Sequence, residues 1–276
     1  AITTDSQNAA IVTGELVGSA DVDPGAGTVT INGAGIIDAF IWKLDANGDY
    51  VWGGTVGGTQ LDYGLGVEVD ASDNLLIGGS FQGTADMDPG AGVTNLVSNG
   101  DRDAYLLKLD PNGSFLWAIS AGDSAEDRVE DIVADPDGTY WAVGAFAGAP
   151  DFDPGAGADV LTATGTENGF VWNVTAAGSH VSAGAFLGPG SIEATHGAIS
   201  LDEDLLVAGN FDQTMDAAPE PPTSVLTSVG AIDMFVAELG DAPPASPHRA
   251  WAYAVMAALL GLAALRKLRR GTSTGR

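Results

Sequence analysis

The chain has no cysteine, which excludes disulfides, thiolate metal sites and thiol nucleophiles together. A secreted module without disulfides must take its stability from packing, and this leans toward a bacterial surface protein built from sheets. Histidine is nearly as scarce, with only His180, His196 and His248. Basic residues are few as well: 10 Lys and Arg stand against 37 Asp and Glu, for a net charge of −27. Up to His248 the basic side chains are Lys43, Arg102, Lys108 and Arg128 alone, against every acidic residue of the chain. So negative a body repels phosphates, and nucleic acid is excluded as a partner. The chain also lacks an opening methionine and a basic-then-apolar leader, so an exported domain would have lost its signal or belong to a longer precursor.

Long apolar runs are missing except at one place. Residues 250–265 carry no charge and are followed by Arg266, Lys267, Arg269 and Arg270. As a helix, 16 such residues would span roughly 24 Å, which flanking Arg and Lys can extend across a hydrocarbon core of about 30 Å. The expected organisation is a Pro-rich linker at 241–249, a single transmembrane or sorting helix at 250–268 and a basic cytoplasmic tail at 269–276. The order of linker, short apolar helix and Arg-rich stop resembles the PEP-CTERM sorting tails handled by exosortases. That resemblance implies a sorting protease as a partner. The Pro-Glu-Pro of that family lies here at Pro219-Glu220-Pro221, upstream of the linker.

What the chain does contain is a 65-residue echo. Asp21-Val22-Asp23-Pro24-Gly25 returns at Asp86 to Gly90 and at Asp151 to Gly155, and decays at Met215 to Pro219. The run Asp38 to Leu44 returns at Asp103 to Leu109, Asn168 to Val174 and Asp233 to Leu239. Small sheets repeated at this spacing cannot each bury their own faces, so they stack. Within a repeat, short β-branched and aromatic runs alternate with turns such as Asp135-Pro-Asp-Gly138, which is the grammar of antiparallel hairpins. The expected fold is all-β: a β-propeller-like array of four four-stranded repeats, at about 9–63, 64–128, 129–193 and 194–240, within a domain covering 1–240. The first repeat reads as lacking its opening strand and the last as lacking its fourth. Gly14, Gly79, Gly144 and Gly209 are expected where sheets crowd an axis. Trp52 and Trp117 are expected to fill gaps between adjacent sheets.

Asp38 to Gly48, Trp52, Gly57-Gly58, Asp62 and Val67 to Gly78, with the matching series from Asp103 to Gly144, resemble the repeats of bacterial SBBP-type β-propeller proteins. The resemblance spans about residues 9–240 and implies a surface or secreted location more than a chemistry.

The chemical candidate is the Asp-x-Asp-Pro-Gly loop. Carboxylates at i and i+2 on a bent loop can converge on a hard cation, so Asp21, Asp23, Asp86, Asp88, Asp151 and Asp153 form candidate Ca²⁺ ligands. The competing reading is that these side chains cap their own loops. No catalytic residue is assigned. The histidines carry no nucleophile or metal spacing. Asp62, Asp127 and Glu130 could supply a carboxylate pair, but Asp62 and Asp127 are equivalent repeat positions. The expected function is a non-enzymatic cell-surface scaffold or adhesion module, tethered to the membrane and stiffened by calcium, with a surface glycan or protein as partner. The alternative is an extracellular carbohydrate-binding protein or carbohydrate-active enzyme on the same scaffold.

Overall fold

The computed structural model describes residues 1–217, 224–241 and 251–258. Its strands fall into four consecutive antiparallel units. Unit one comprises β1 (Ile2–Thr4), β2 (Ala10–Leu16), β3 (Ser19–Asp21), β4 (Thr30–Asn32), β5 (Asp38–Leu44) and β6 (Tyr50–Gly58). Unit two comprises β7 (Tyr63–Val69), β8 (Leu75–Asp86), β9 (Asn95–Leu109) and β10 (Phe115–Ala121). Unit three holds β11 (Asp127–Ala134), β12 (Thr139–Phe146), β13 (Asn168–Thr175) and β14 (His180–Phe186). Unit four holds β15 (Ile192–Ile199), β16 (Leu205–Phe211), β17 (Thr214–Asp216), β18 (Val225–Thr227), β19 (Asp233–Asp241) and β20 (Trp251–Ala258). In each unit four strands pair as neighbours in chain order. A two-stranded ribbon (β3–β4, β17–β18, or the ends of β8 and β9) projects between the second and third, reduced in unit three to the Asp151–Val160 bridge.

Local chemistry sets the turns. Asp45 Oδ1 accepts the N–H groups of Asn47 and Asp49, while Gly48 adopts φ 85° and donates to the Asp45 carbonyl. Gly113, Gly138 and Gly178 repeat that left-handed position, which a Cβ would strain. Each of β7, β11 and β15 bulges at one place, between Gly64 and Gly66, Val129 and Asp131, and Ala194 and His196. The bulge explains three of the regularly spaced glycines, Gly79, Gly144 and Gly209, differently from the axial crowding expected above. A Cβ on Gly79 or Gly144 would sit 1.8 or 2.0 Å from the Tyr63 or Arg128 carbonyl oxygen. That oxygen belongs to the paired strand of the same sheet.

The core lies between units. Ile11, Ala39, Ile41 and Val56 of unit one meet Ile77, Phe81, Tyr105 and Leu107 of unit two. Leu76, Ala104 and Leu106 meet Phe146, Phe170 and Trp172 of unit three. Val143 and Val171 meet Val207, Phe211 and Phe235 of unit four. At roughly 1.5–3 kcal/mol for each large buried side chain, these junctions supply most of the driving force. The two tryptophans behave as expected: Trp52 Nε1 donates to the Pro111 carbonyl at 3.4 Å and Trp117 Nε1 to that of Ala176 at 3.1 Å, each on the turn of the next unit.

Both ends depart from expectation. β1 pairs with β2, so unit one has its opening strand. Unit four gains its fourth strand from Trp251–Ala258, which lies antiparallel on β19. That strand overturns the expected helix over 250–268. An open edge on β19 presents unpaired N–H and C=O groups, and the apolar segment satisfies them as a strand instead of satisfying itself as a helix. Among the described residues no helix is long and apolar enough to cross a membrane. The membrane tether, the membrane as partner, the surface placement that depended on it and the cytoplasmic tail therefore lose their support. Residues 259–276, including the expected tail at 269–276, and most of the 241–249 linker lie outside the described residues.

Candidate functional site

The Asp-x-Asp-Pro-Gly loops sit at the tips of the ribbons, and each turns back on itself. Asp21 Oδ1 accepts from Asp23 and Val29 N–H, Asp86 Oδ1 from Asp88 and Thr94, and Asp151 Oδ1 from Asp153 and Asp159. The second carboxylate of each loop takes Gly25, Gly90 or Gly155 N–H at 2.7–2.8 Å. Gly27, Gly92 and Gly157 press against the other oxygen so closely that a Cβ would approach to 2.0–2.2 Å. Asp216 keeps the first role in unit four by accepting Ser224 N–H, although Ala218 replaces the second Asp. Calcium takes six to eight oxygens; each loop offers two carboxylates already engaged by backbone. Among the described residues no group of three or more acidic or histidine side chains is placed to hold a metal. In all three loops both carboxylates cap their own loop backbone.

The loops have a second task. Gly57 pairs with Asp86, Gly122 with Asp151 and Leu187 with Asp216. Each step is the repeat length, and each joins the last strand of one unit to the loop of the next. Pro89 lies against Gly54 of the preceding sheet, where a Cβ would come within 2.9 Å of its ring. The motif is thus an inter-sheet clasp.

Buried carboxylates line the same end of the sheets. Asp62 accepts Gly58 and Gln82 N–H; Asp127 accepts Asp123 and Ala147 N–H. Burial pushes Asp62 up to about 6, with repulsion from Asp38 adding to it. Burial takes Asp127 to about 8, aided by Asp123 and Asp103. Asp103 rises to about 6 for the same reason, and its Oδ1 is buried without a partner. These groups fasten repeat-equivalent loops. Asp62 and Asp127 do not pair with one another.

The asymmetric feature is a charged rim where β7, β11 and β15 begin. Arg102 lies over the Tyr63 ring, 4.9 Å from its centre, and pairs with Glu126 at 2.5 Å. Arg128 reaches Glu130 at 2.5 Å, Glu193 at 3.1 Å, Glu126 at 3.7 Å, and Glu167. Burial works against the Arg128 charge, but hydrogen bonds and attraction from Glu167 and Glu130 hold the guanidinium above the ordinary arginine value. Burial raises Glu193, with Arg128 pulling the other way. Four carboxylates share two guanidinium groups. Sequence reasoning noted Arg102 and Arg128 as rare cations and missed the rim. The available signal was that Tyr63, Arg128 and Glu193 occupy one repeat position with three different chemistries.

The histidines do not gather. His180 accepts from Trp172 Nε1 and sits 3.0 Å from Asp159; His196 is exposed beside Thr195. His248 lies outside the described residues.

No family model matches the chain. It is similar to an uncharacterized WD repeat-containing protein of Acanthamoeba polyphaga mimivirus, with 25% identity over 173 residues, 53% of this chain. The chain spans 12% of that protein's length. This is a distant, partial homology to a repeat protein, in keeping with an all-β repeat structure.

Proposed function

We propose that the described sheets form a non-catalytic, propeller-type binding platform whose rim, from Tyr63 to Glu193, receives a Lys- or Arg-rich protein segment. The observation carrying this reading is the carboxylate excess at the rim. Glu126 and Glu193 keep more than a third of their side-chain surface in solvent, and among the described residues Arg102 and Arg128 alone answer the four rim carboxylates. A net charge of −27 would steer a cationic partner toward the molecule. The buried carboxylates and the Asp-x-Asp loops are committed to backbone groups, which supports binding over turnover. The SBBP-type reading of the repeats belongs to the same proposal and rests on the ordered Asp-aromatic, Trp and Gly elements.

Titration of a decameric Lys/Arg-rich peptide into the full chain tests it. Binding should be salt-sensitive, fading as ionic strength rises from about 20 mM to about 500 mM. Replacing Glu126 and Glu193 together by Gln should weaken it roughly tenfold, equivalent to about 1.4 kcal/mol. Equal binding of the wild type and the double variant would refute the rim as the contact surface.

A further inference from the structure

Asp103 on β9 and Asn168 on β13 hold one repeat position, and both are 0% exposed. Each makes the same first contact. Asp103 Oδ2 accepts the Asn99 N–H at 3.1 Å, and Asn168 Oδ1 accepts that of Thr164 at 2.7 Å. The second atom of the group is where they part. Asn168 Nδ2 donates to the carbonyls of Glu167 at 2.9 Å and Gly188 at 3.1 Å. Asp103 has an oxygen there instead, Oδ1, buried and without a hydrogen-bond partner among the described residues. An ionised carboxyl has no donor to offer, whereas a protonated one carries an O–H. An unpaired charge in so dry a place is costly.

The charges that face Asp103 have its own sign. Burial, with repulsion from Asp123, lifts its carboxyl to about 6, and Asp103 in turn helps to raise Asp127 at the start of β11. Asp123 and Asp127 take their hydrogen bonds from main-chain N–H groups. Asp101 is engaged by the Gln82 side chain and Asp151 by its own loop. The neighbouring cations, Arg102 and Arg128, are held by the rim glutamates. Gly122 lies directly on the group, for a Cβ there would fall 2.2 Å from Asp103 Cγ. Gly122 is also the residue that bridges to Asp151 in the clasp loop of unit three.

We infer that Asp103 is a proton switch for the junction between units two and three: its protonated Oδ1 donates to a main-chain carbonyl as Asn168 Nδ2 does, and loss of that proton loosens Gly122 and the clasp on Asp151. One repeat before the Asn168 acceptors stand the carbonyls of Arg102 and Asp123. Ionisation leaves Oδ1 with nothing to accept and adds a third negative group to Asp123 and Asp127. A folded value above the ordinary 3.8 means that folding favours the protonated form, so the switch is closed in acid and released as pH rises through about 6. Unit three makes the same contact with an amide, which does not titrate.

The test is a carboxyl-carbon NMR titration of the full chain, with Asp103 assigned through its backbone, beside the variant Asp103→Asn. The Asp103 signal should titrate well above the ordinary aspartate value. Amide protection around the Gly122–Asp151 bridge, corrected for intrinsic exchange, should fall roughly tenfold in the wild type between about pH 4 and about pH 8. Asp103→Asn supplies a permanent donor, so its protection should hold across that range. Its melting temperature should match the wild type within about 1 °C near pH 4 and exceed it by about 4 °C or more near pH 8. An Asp103 signal in the ordinary range overturns the proposal, as does a variant that melts with the wild type at pH 8 or is stabilised equally at both ends. Should Asp103→Asn fail to fold, the wild-type titration and exchange decide alone, and an unshifted signal or undiminished protection refutes the switch.

Discussion

The Asp127 carboxyl accepts two backbone N–H groups in a site stripped of water, and burial lifts its pKa to about 8 while Asp62 and Asp103 rise to about 6. In the unfolded chain such groups titrate near 3.8. A raised folded value means that the neutral form is favoured by folding. The resulting stability is fully present below pH 3.8 and is lost as pH climbs through about 6 and then about 8. Asp70 acts oppositely. Bonds from Asn74, Lys108 and Tyr140 overcome its burial and hold it down at about 2, so its contribution is lost only as pH falls through that value. The melting temperature should therefore peak near pH 4 and fall between about pH 4 and about pH 8. Asp127→Asn should lower it at pH 5, since an amide cannot accept from both N–H groups, and should flatten the decline above pH 7. An equally steep alkaline decline in the variant would contradict this assignment. At Lys108, a buried ammonium pairs with Asp70 at 3.0 Å and Tyr140 at 2.6 Å. Lys108→Met strands the Asp70 charge and should cost about 3 kcal/mol in urea denaturation, with Asp70→Asn restoring part of it.

Among the elements, the bulged first strand and the clasp loop carry the architecture. Gly144→Ala places a methyl group against the Arg128 carbonyl, a backbone atom that cannot swing aside. The expected loss is about 3 kcal/mol, measured by denaturant melts; a loss under about 0.5 kcal/mol would mean that the strands part easily there. Asp151→Ala removes two caps from a loop that bonds to unit two and should cost about 1–2 kcal/mol. Asp21→Ala should cost less, because among the described residues its loop makes no bridge to another sheet. Since loop N–H groups already occupy these carboxylates, millimolar calcium should move the melting temperature of the full chain by less than about 1 °C; ΔTm of several degrees would show that the loops take the cation.

Across the described molecule, stability comes from one repeated junction. Consecutive units are held by apolar faces, by Trp52 and Trp117 on the next turn, and by the Gly57–Asp86, Gly122–Asp151 and Leu187–Asp216 bridges. The latch weakens along the chain. Ser182 replaces the tryptophan in unit three and Asn173 replaces the lysine, so the last junction relies on Phe186, Phe211 and Phe235. Phe235→Ala should accordingly cost about 3–5 kcal/mol and loosen unit four first, seen as early amide exchange in β15 and β16.

The repeat length, the all-β character, the turns and the paired strands were legible in the residues, because alternation and turn chemistry act within a few positions. That Asp21, Asp86 and Asp151 cap their loops was one of two readings the residues allowed, and the hydrogen bonds to loop N–H groups became visible only in the loop geometry. Arg128 with its four glutamates was invisible, because they come from loops and strands of two units that the chain order does not bring together. The fate of the apolar segment from Trp251 was decided at tertiary level as well. Its composition suits a helix, but an unpaired edge on β19 offers a hydrogen-bonded place for a strand, and no local pattern records that vacancy.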